Sequence, residues 1–497
     1  MGGRFTSLGA LVAALTTTAA LLAGCASNQR EDRSFPTEAA EQIDRVVRPQ
    51  MDARLAPGVL VAVRDPKRGA FVRAYGTADL ATGRPMDVAD HVRIGSITKT
   101  FTATAVLRAA DEGKLSVDDV LERYVPGVPN GDTITLRDLL GMRGGVWDLR
   151  RERAFADQIV AKTPASEWHE GDRLRAIIAH PEKAMPPRGR VEYSNSEYYL
   201  LGLVLEKVFG KPVHQVIGEV VAAHGLRATT YPTDAAVPAP ESRGYSYFDE
   251  TPTDVTARTT PALFGAAGTM VSTISDLAEY ARLLGRGDLL KPETFRARTQ
   301  FAGDLRYGLG MVEFGRWIGH NGAVPGYTTH MAYLPEQDAG VTVAVSEFTS
   351  PPLLGVTASV IWFGIVRQLY PGTVPGVPAG TEPEPPPVPA VADLDNRLRQ
   401  TLDPAVPVAR KPLRIADDDK DPDLVTRVAE SLSPTTTTVG KVTAAGGHLL
   451  ATVVFAGPNG RRPAIVPFVP RDGSWRIDRS WACENIAGTG PPSPACE

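Results

Sequence analysis

Gly95-Ser96-Ile97-Thr98-Lys99-Thr100-Phe101 joins two kinds of pattern. Before it, His91-Val92-Arg93-Ile94 reads as a strand. After it, Phe101 to Ala110 places apolar residues at about every third or fourth position, the period of a helix. Ser96 thus stands at a helix N-terminus, where free backbone N–H groups and the helix dipole favour negative charge. Lys99, three residues on, lies on the same face one turn away. A serine hydroxyl becomes a nucleophile when a base takes its proton, and a lysine whose pKa is lowered by burial can be that base. The same residues also describe an N-cap serine followed by a surface lysine. The rest of the chain decides between the two.

At 497 residues the chain is long enough for two domains. Its 53 Lys and Arg against 57 Asp and Glu leave a net charge of −4, which argues against a nucleic-acid surface. The N-terminus has a positive Arg4, an apolar run from Leu8 to Leu22, and then Leu22-Ala23-Gly24-Cys25. That is the build of a secretory signal, and the cysteine after small residues resembles a bacterial lipobox. The expectation is a signal peptide over 1–24, lipidation of Cys25, a polar tether over 25–36, and an extracytoplasmic protein anchored to the bacterial membrane. An uncleaved span is the alternative, although the run is shorter than the ~20 residues a span needs. With Cys25 lipidated, Cys483 and Cys496 remain as an even pair, and outside the cytoplasm a disulfide is the default. No metal-ligand spacing occurs, so neither metal nor cofactor is expected.

A helix from Thr37 to Leu55 is followed by strands Val59–Arg64 and Ala70–Tyr75. The Ser96 helix comes next, then a short helix capped by Ser116 and a capped helix ending at Leu140. Residues 142–190 are mixed and polar, and read as helices and loops over the site. A helix over Tyr199–Phe209 precedes Gly265-Ala266-Ala267-Gly268, whose glycines suit a tight backbone approach. Short strands run through Arg316–His320, Thr328–Tyr333 and Val341–Val345, and a helix closes the domain near Leu369. This is an α/β sheet flanked by helices with an all-helical insertion, spanning 37–370. Residues 371–392 are a proline-rich linker. Residues 393–497 are a smaller α+β domain, with a helix at Asp423–Leu432 and strands at Thr437–Val442, Leu449–Phe455, Ala464–Phe468 and Trp475–Asp478.

Two further motifs carry chemistry. In Tyr193-x-Asn195, a tyrosine hydroxyl beside a cationic lysine has its pKa lowered and can shuttle a proton. The Asn195 amide can bond both lysine and a substrate carbonyl. In His320-x-Gly322, the imidazole can offer a donor to a substrate carboxylate, and the bare glycine lets substrate approach closely.

Together with Glu112-Gly113-Lys114-Leu115-Ser116, Tyr199-Leu200-Leu201-Gly202 and Gly319-His320-Asn321-Gly322-Ala323-Val324-Pro325-Gly326-Tyr327, these motifs resemble the serine beta-lactamase-related superfamily. The branch is that of class C beta-lactamases, D-alanyl-D-alanine carboxypeptidases and esterases, and the resemblance spans about 40–370. It implies a beta-lactamase/transpeptidase-like fold. It also implies Ser96 as the acylated nucleophile, Lys99 as its activating partner and Tyr193 as general acid/base. Asn195, His320, Gly322 and Ala323 would bind substrate, with the N–H groups of Ser96 and Ala323 as the oxyanion hole. The sequence departs from the family at Gly141-Met142-Arg143-Gly144-Gly145-Val146 and in carrying His320 where beta-lactamases usually carry lysine. The implied activity is hydrolysis of D-amino-acid peptide amides or small esters. The substrate would be a small molecule or a peptidoglycan peptide. The alternatives are a beta-lactamase and a non-catalytic penicillin-binding lipoprotein. Gly473-Ser474-Trp475-Arg476-Ile477 and Trp481-Ala482-Cys483 resemble small secreted actinobacterial domains of a cystatin- or NTF2-like shape, open to a wall or protein contact.

Overall fold

Val59-Leu60-Val61-Ala62-Val63 is apolar at every position. A strand with that pattern needs cover on both faces. The computed structural model supplies it. It describes residues 34–496 apart from 55, 153–154, 156–167, 170, 248–250, 349–356, 375–384, 446–447, 459 and 487–492; the expected signal and Cys25 lie outside this set. In β1 (Gly58–Asp65), Val59, Val61 and Val63 enter one apolar cluster while Leu60 and Ala62 enter another, as the pleat requires.

The strands that follow are β2 (Gly69–Asp79), β3 (Arg84–Pro85), β4 (Val92–Arg93), β5 (Tyr245–Tyr247), β6 (Pro252–Asp254), β7 (Val271–Ser272), β8 (Val312–Phe314), β9 (Trp317–Val324), β10 (Tyr327–Leu334) and β11 (Ala339–Val345). Seven of them form one sheet in the order β3-β2-β1-β11-β10-β9-β8. Every neighbouring pair is antiparallel, with Val59 opposite Val345. Among the described residues, the helices of this domain longer than four residues are α1 (Thr37–Arg54), α2 (Thr98–Asp111), α3 (Leu136–Leu140), α4 (Asp172–Ala179), α5 (Asn195–Phe209), α6 (Val213–Ala223), α7 (Ile274–Arg286), α8 (Pro292–Arg298) and α9 (Thr357–Leu369). Helices α1 and α9 cover one face of the sheet, where Ile43, Val47, Ile361 and Trp362 are fully buried. Helix α7 and the block α2–α6 cover the other. The chain thus leaves the sheet after β3, builds the helical insertion and returns at β8, which is the expected architecture.

One element differs. No helix follows Ser116: the Ser116 N–H donates to Asp119 Oδ2 at 2.8 Å and the Asp118 N–H to Ser116 Oγ at 3.2 Å. These local bonds give the backbone an alternative to a helix, and only a 3-10 turn, Leu121–Arg123, forms.

The C-terminal domain holds α10 (Val391–Thr401), α11 (Leu424–Leu432), β12 (Thr436–Ala445), β13 (His448–Gly457), β14 (Gly460–Arg471), β15 (Ser474–Ile477) and α12 (Arg479–Ile486). The four strands form one antiparallel sheet in sequence order. Helix α10 begins inside the stretch expected as linker; it buries only Leu394, Leu398 and Thr401, too few to mark a helix in sequence. The domain has its own core around Trp481 and Phe468, and β12 and β13 rest on α1. Cys483 and Cys496 form a disulfide, with Cα atoms 5.6 Å apart. Among the described residues no helix is long and apolar enough to cross a membrane. Closing a loop of this size contributes about 3 kcal/mol, so Cys483→Ser is expected to lower the C-terminal domain's stability by about that much. Calorimetry should show this loss while the hydrolase-fold transition stays in place.

Candidate active site

Ser96 lies in a 3-10 turn, Gly95–Ile97, that runs straight into α2. Two glycines let this turn touch β9 backbone to backbone. Gly95 has φ +52°, and a Cβ there would sit 2.7 Å from Ala323 N. A Cβ on Gly322 would sit 2.1 Å from Ile94 O and 3.0 Å from Ser96 N. The space at Gly322 that the sequence reading gave to substrate is therefore filled by the serine turn itself. Thr329 Oγ1 donates to Ile94 O at 2.9 Å and ties β10 to the same point.

The edge of β9 facing Ser96 is open by topology, since β8 pairs with β9 only as far as Gly319. Pro325 and Gly326 link Val324 to its partner Tyr327. The pair beside such a turn exchanges its hydrogen bonds, so alternate residues aim N–H groups at the other edge. Ala323 is one of these. Its backbone N lies against the serine turn, 2.7 Å from where a Cβ on Gly95 would sit.

Lys99 is fully buried. Its Nζ lies 3.0 Å from Ser96 Oγ and donates to Asn195 Oδ1 at 2.7 Å and Ala267 O at 2.7 Å. Burial, aided by the Arg150 charge and opposed by Asp148, pushes its pKa well below the usual lysine value. Two buried threonines of α2 fix the loop whose Ala267 carbonyl accepts from Lys99: Thr102 Oγ1 donates to Ala266 O at 2.7 Å, and Thr98 Oγ1 accepts from Met270 N at 3.1 Å. A Cβ on Gly265 would meet the buried Arg173 guanidinium at 2.6 Å, which is the close approach expected at these glycines.

Tyr193 precedes α5. Met142, at φ +57°, holds it from both sides: Met142 O accepts from Glu192 N at 2.9 Å and Met142 Sδ from Ser194 N at 3.3 Å. The Tyr193 ring lies 4.9 Å from Lys99 Nζ and 5.6 Å from Arg150 Cζ. The expected lowering of its pKa is reversed. Burial pushes it up to about 12, against the Ser96 hydrogen bond and the Arg150 charge. The lysine expected to act on it as a cation is itself held toward its neutral form. The site thus pairs a base depressed by burial with an acid raised by burial, the division that acid–base chemistry at neutral pH needs.

His320 is buried beneath this group. Its Nδ1 lies 2.5 Å from Asn321 O and its Nε2 3.2 Å from Tyr307 OH. Burial and the Lys99 charge lower its pKa to about 3, so the ring is neutral, donating at Nδ1 and accepting at Nε2. Both nitrogens are engaged, and as placed the ring offers no free N–H to a substrate carboxylate.

Ser96, Lys99, Tyr193, Asn195, His320, Gly322 and Ala323 therefore meet in one place. Sequence reasoning missed Asp148 and Arg150. Asp148 Oδ2 accepts from Asn195 Nδ2 at 3.3 Å and from Arg150 Nε at 2.8 Å. This fixes which way the Asn195 amide faces, with its oxygen toward Lys99. Both lie in the polar 142–190 block, where no periodicity marks them. Glu197 was missed too. It is fully buried, accepts from Val146 N at 3.3 Å, and burial pushes its pKa well above the carboxylate range. A Cβ on Gly144 would meet Glu197 Oε1 at 3.0 Å. The unusual Gly144-Gly145 pair is what lets this loop close on Glu197. Among the described residues no cluster could hold a metal ion.

The sheet, the helical insertion and Ser96 paired with the buried Lys99 define a serine hydrolase fold. The "Beta-lactamase" family model matches residues 43–362, and the chain belongs to that family. A second model, "Low molecular weight antigen MTB12, C-terminal domain", matches residues 387–493. The chain is 27% identical over 236 residues to PbpX of Bacillus subtilis (strain 168), covering 47% of this chain and 56% of that one. It thus spans about half of that relative's length. It is similar to a D-stereospecific amidohydrolase from Streptomyces sp., with 27% identity, TM-score 0.55, and coverage of 62% of this chain and 94% of that one. A D-amino acid amidase from Ochrobactrum anthropi SV3 shares the fold at 22% identity and TM-score 0.58, over 67% of this chain and 99% of that one.

Two predictions follow from the geometry. Gly322→Ala drives β9 off the serine turn. It should reduce Ser96 acylation by at least about 100-fold, the scale of losing one oxyanion donor, measured by single-turnover kinetics. The acid limb of kcat/KM against pH reports loss of the Lys99 proton. Removing a nearby cation raises a lysine pKa and removing a nearby anion lowers it. Arg150→Gln should therefore move that limb to higher pH and Asp148→Asn to lower pH.

Proposed function

We propose that this protein is an envelope-anchored serine hydrolase that acts on D-amino-acid amides or small esters through an acyl-enzyme on Ser96. The observation that carries the reading is the buried Lys99 amine 3.0 Å from Ser96 Oγ, with no carboxylate among its hydrogen-bond partners in the described residues. The similarity to a D-stereospecific amidohydrolase supports the amide substrate.

Lys99 in its neutral form takes the Ser96 proton as Oγ attacks the substrate carbonyl. The oxyanion forms against the N–H groups of Ser96 and Ala323. Collapse breaks the C–N or C–O bond, and the leaving group takes a proton from Tyr193, which recovers one from Lys99. Water then attacks the ester carbonyl, releases the acid and returns the proton to Ser96. Lipidation of Cys25 places this chemistry outside the cell membrane.

The test is intact-mass analysis of residues 26–497 after brief exposure to D-phenylalanine amide, an activated ester or a penicillin, with peptide mapping of any adduct. A Ser96-borne adduct or turnover, abolished by Ser96→Ala and preferring D- over L-phenylalanine amide, is the expected result. A long-lived penicillin adduct without turnover would favour a penicillin-binding role. No adduct and no turnover would overturn the reading. Metabolic labelling with a fatty acid, lost in Cys25→Ser, checks the anchor.

A further inference from the structure

The loop that bonds Lys99 also lines a cleft of about 510 Å³, the ordinary size of a small-molecule site. One wall is a single face of α5, where Tyr199, Gly202, Leu203 and Glu206 recur at intervals of three and four. The start of α6, residues 231–235, and Gly265 with Ala266 complete the lining. Ser96, Lys99, Tyr193 and Asn195 are not part of it, so the cleft is separate from the reacting groups. Two of its walls nonetheless carry the acceptors of Lys99. Ala267, whose carbonyl accepts from Lys99 Nζ at 2.7 Å, directly follows Ala266. Helix α5 begins at Asn195, whose Oδ1 accepts from the same nitrogen at 2.7 Å. These two walls touch, since a Cβ on Gly202 would sit 2.8 Å from Ala266 Cβ.

The charges in the lining are unevenly matched. Among the described lining residues Arg173 is the one lysine or arginine, and it is already engaged. Its Cζ lies 3.9 Å from the centroid of the Tyr199 ring, and its Nη2 donates to Pro261 O at 3.0 Å. Glu206 Oε1 accepts from Val213 N at 3.0 Å and Asp234 Oδ1 from Ala236 N at 2.8 Å; among the described residues neither acid has an ion-pair partner. The segment that carries Asp234 is held by the buried Arg93, whose Nη2 donates to Ala235 O and whose Nε donates to Thr256 O at 3.1 Å. Leu203, Val213 and Tyr231 add apolar and aromatic surface.

We infer that this cleft is an effector site for an organic ammonium with an apolar body, whose occupant acts on Ser96 acylation through the 265–267 loop and α5. The ammonium meets Glu206 and Asp234, and an aromatic wall adds cation–π attraction. Filling the cleft restrains the loop against α5 and so fixes both acceptors that orient Lys99 toward Ser96 Oγ. The binding site goes beyond the proposed hydrolase reading, while its effect on acylation rests on that reading.

The probe is 2-phenylethylammonium, with 2-phenylethanol as its uncharged counterpart, on residues 26–497. Calorimetric titration should show the ammonium binding about tenfold tighter, the scale of one such charge contact, and added salt should narrow the gap. The double variant Glu206→Gln/Asp234→Asn keeps both side-chain acceptors and should lose the difference. Single-turnover release of 4-nitrophenol from 4-nitrophenyl acetate reads acylation, with Ser96→Ala as the blank. Saturating ammonium should speed it about fivefold in the wild type, the low end of coupling between sites, and leave the double variant's rate unchanged. Without ammonium the two proteins should react alike. Equal binding of the two probes, or a difference that survives in the double variant, overturns the site. Binding without a change in acylation overturns the effector role, as does a slowing shared by both proteins, which would place the ammonium at Ser96 instead. If neither protein is acylated, the hydrolase reading fails by itself, and the titration alone decides the cleft.

Discussion

The site is built around an amine taken out of water and bonded to neutral groups. Among the described residues Lys99 reaches only a hydroxyl, an amide oxygen and a backbone carbonyl. A charged ammonium is poorly compensated in such a setting, and the neutral form is favoured. Much of the helical insertion serves this condition. α2 is buried on nearly every side, its threonines staple the 266–270 loop, and α5 brings Asn195. Asp148 and Arg150 bear on the same lysine with opposite sign, so the loop that carries them tunes the amine from outside its hydrogen-bond shell.

A second constraint is steric. The serine turn and β9 approach until backbone meets backbone, which only glycine permits at 95 and 322. This contact brings the N–H groups of Ser96 and Ala323 together, and it exists because β8 stops short and leaves that edge of β9 unpaired. His320 then works from below. Neutral and fixed between Asn321 O and Tyr307 OH, it supports the strand and the aromatic floor next to Tyr193, whose ring packs edge-on to Tyr307 at 6.1 Å.

The same economy of placement explains the far face of the sheet. α1 and α9 close the core there, and the C-terminal sheet rests on α1. The accessory domain thus joins the hydrolase fold on the face opposite the helical insertion.

The sequence by itself determined much of this protein. Residues that bury both faces of β1, the periodic helix after Ser96 and the spacing from Ser96 to Lys99 are local patterns, and local geometry turns them directly into elements and a shared helix face. The three motifs that carry Ser96, Tyr193 and His320 were legible for the same reason. What only the tertiary structure decided depends on contacts between distant segments. Asp148 and Arg150 gain meaning from Asn195 and Lys99, and Gly322 from Ile94. The Tyr193 pKa moved opposite to the expected direction because a neighbouring charge can be read from a motif, whereas burial is a property of the whole packed fold and here outweighs it.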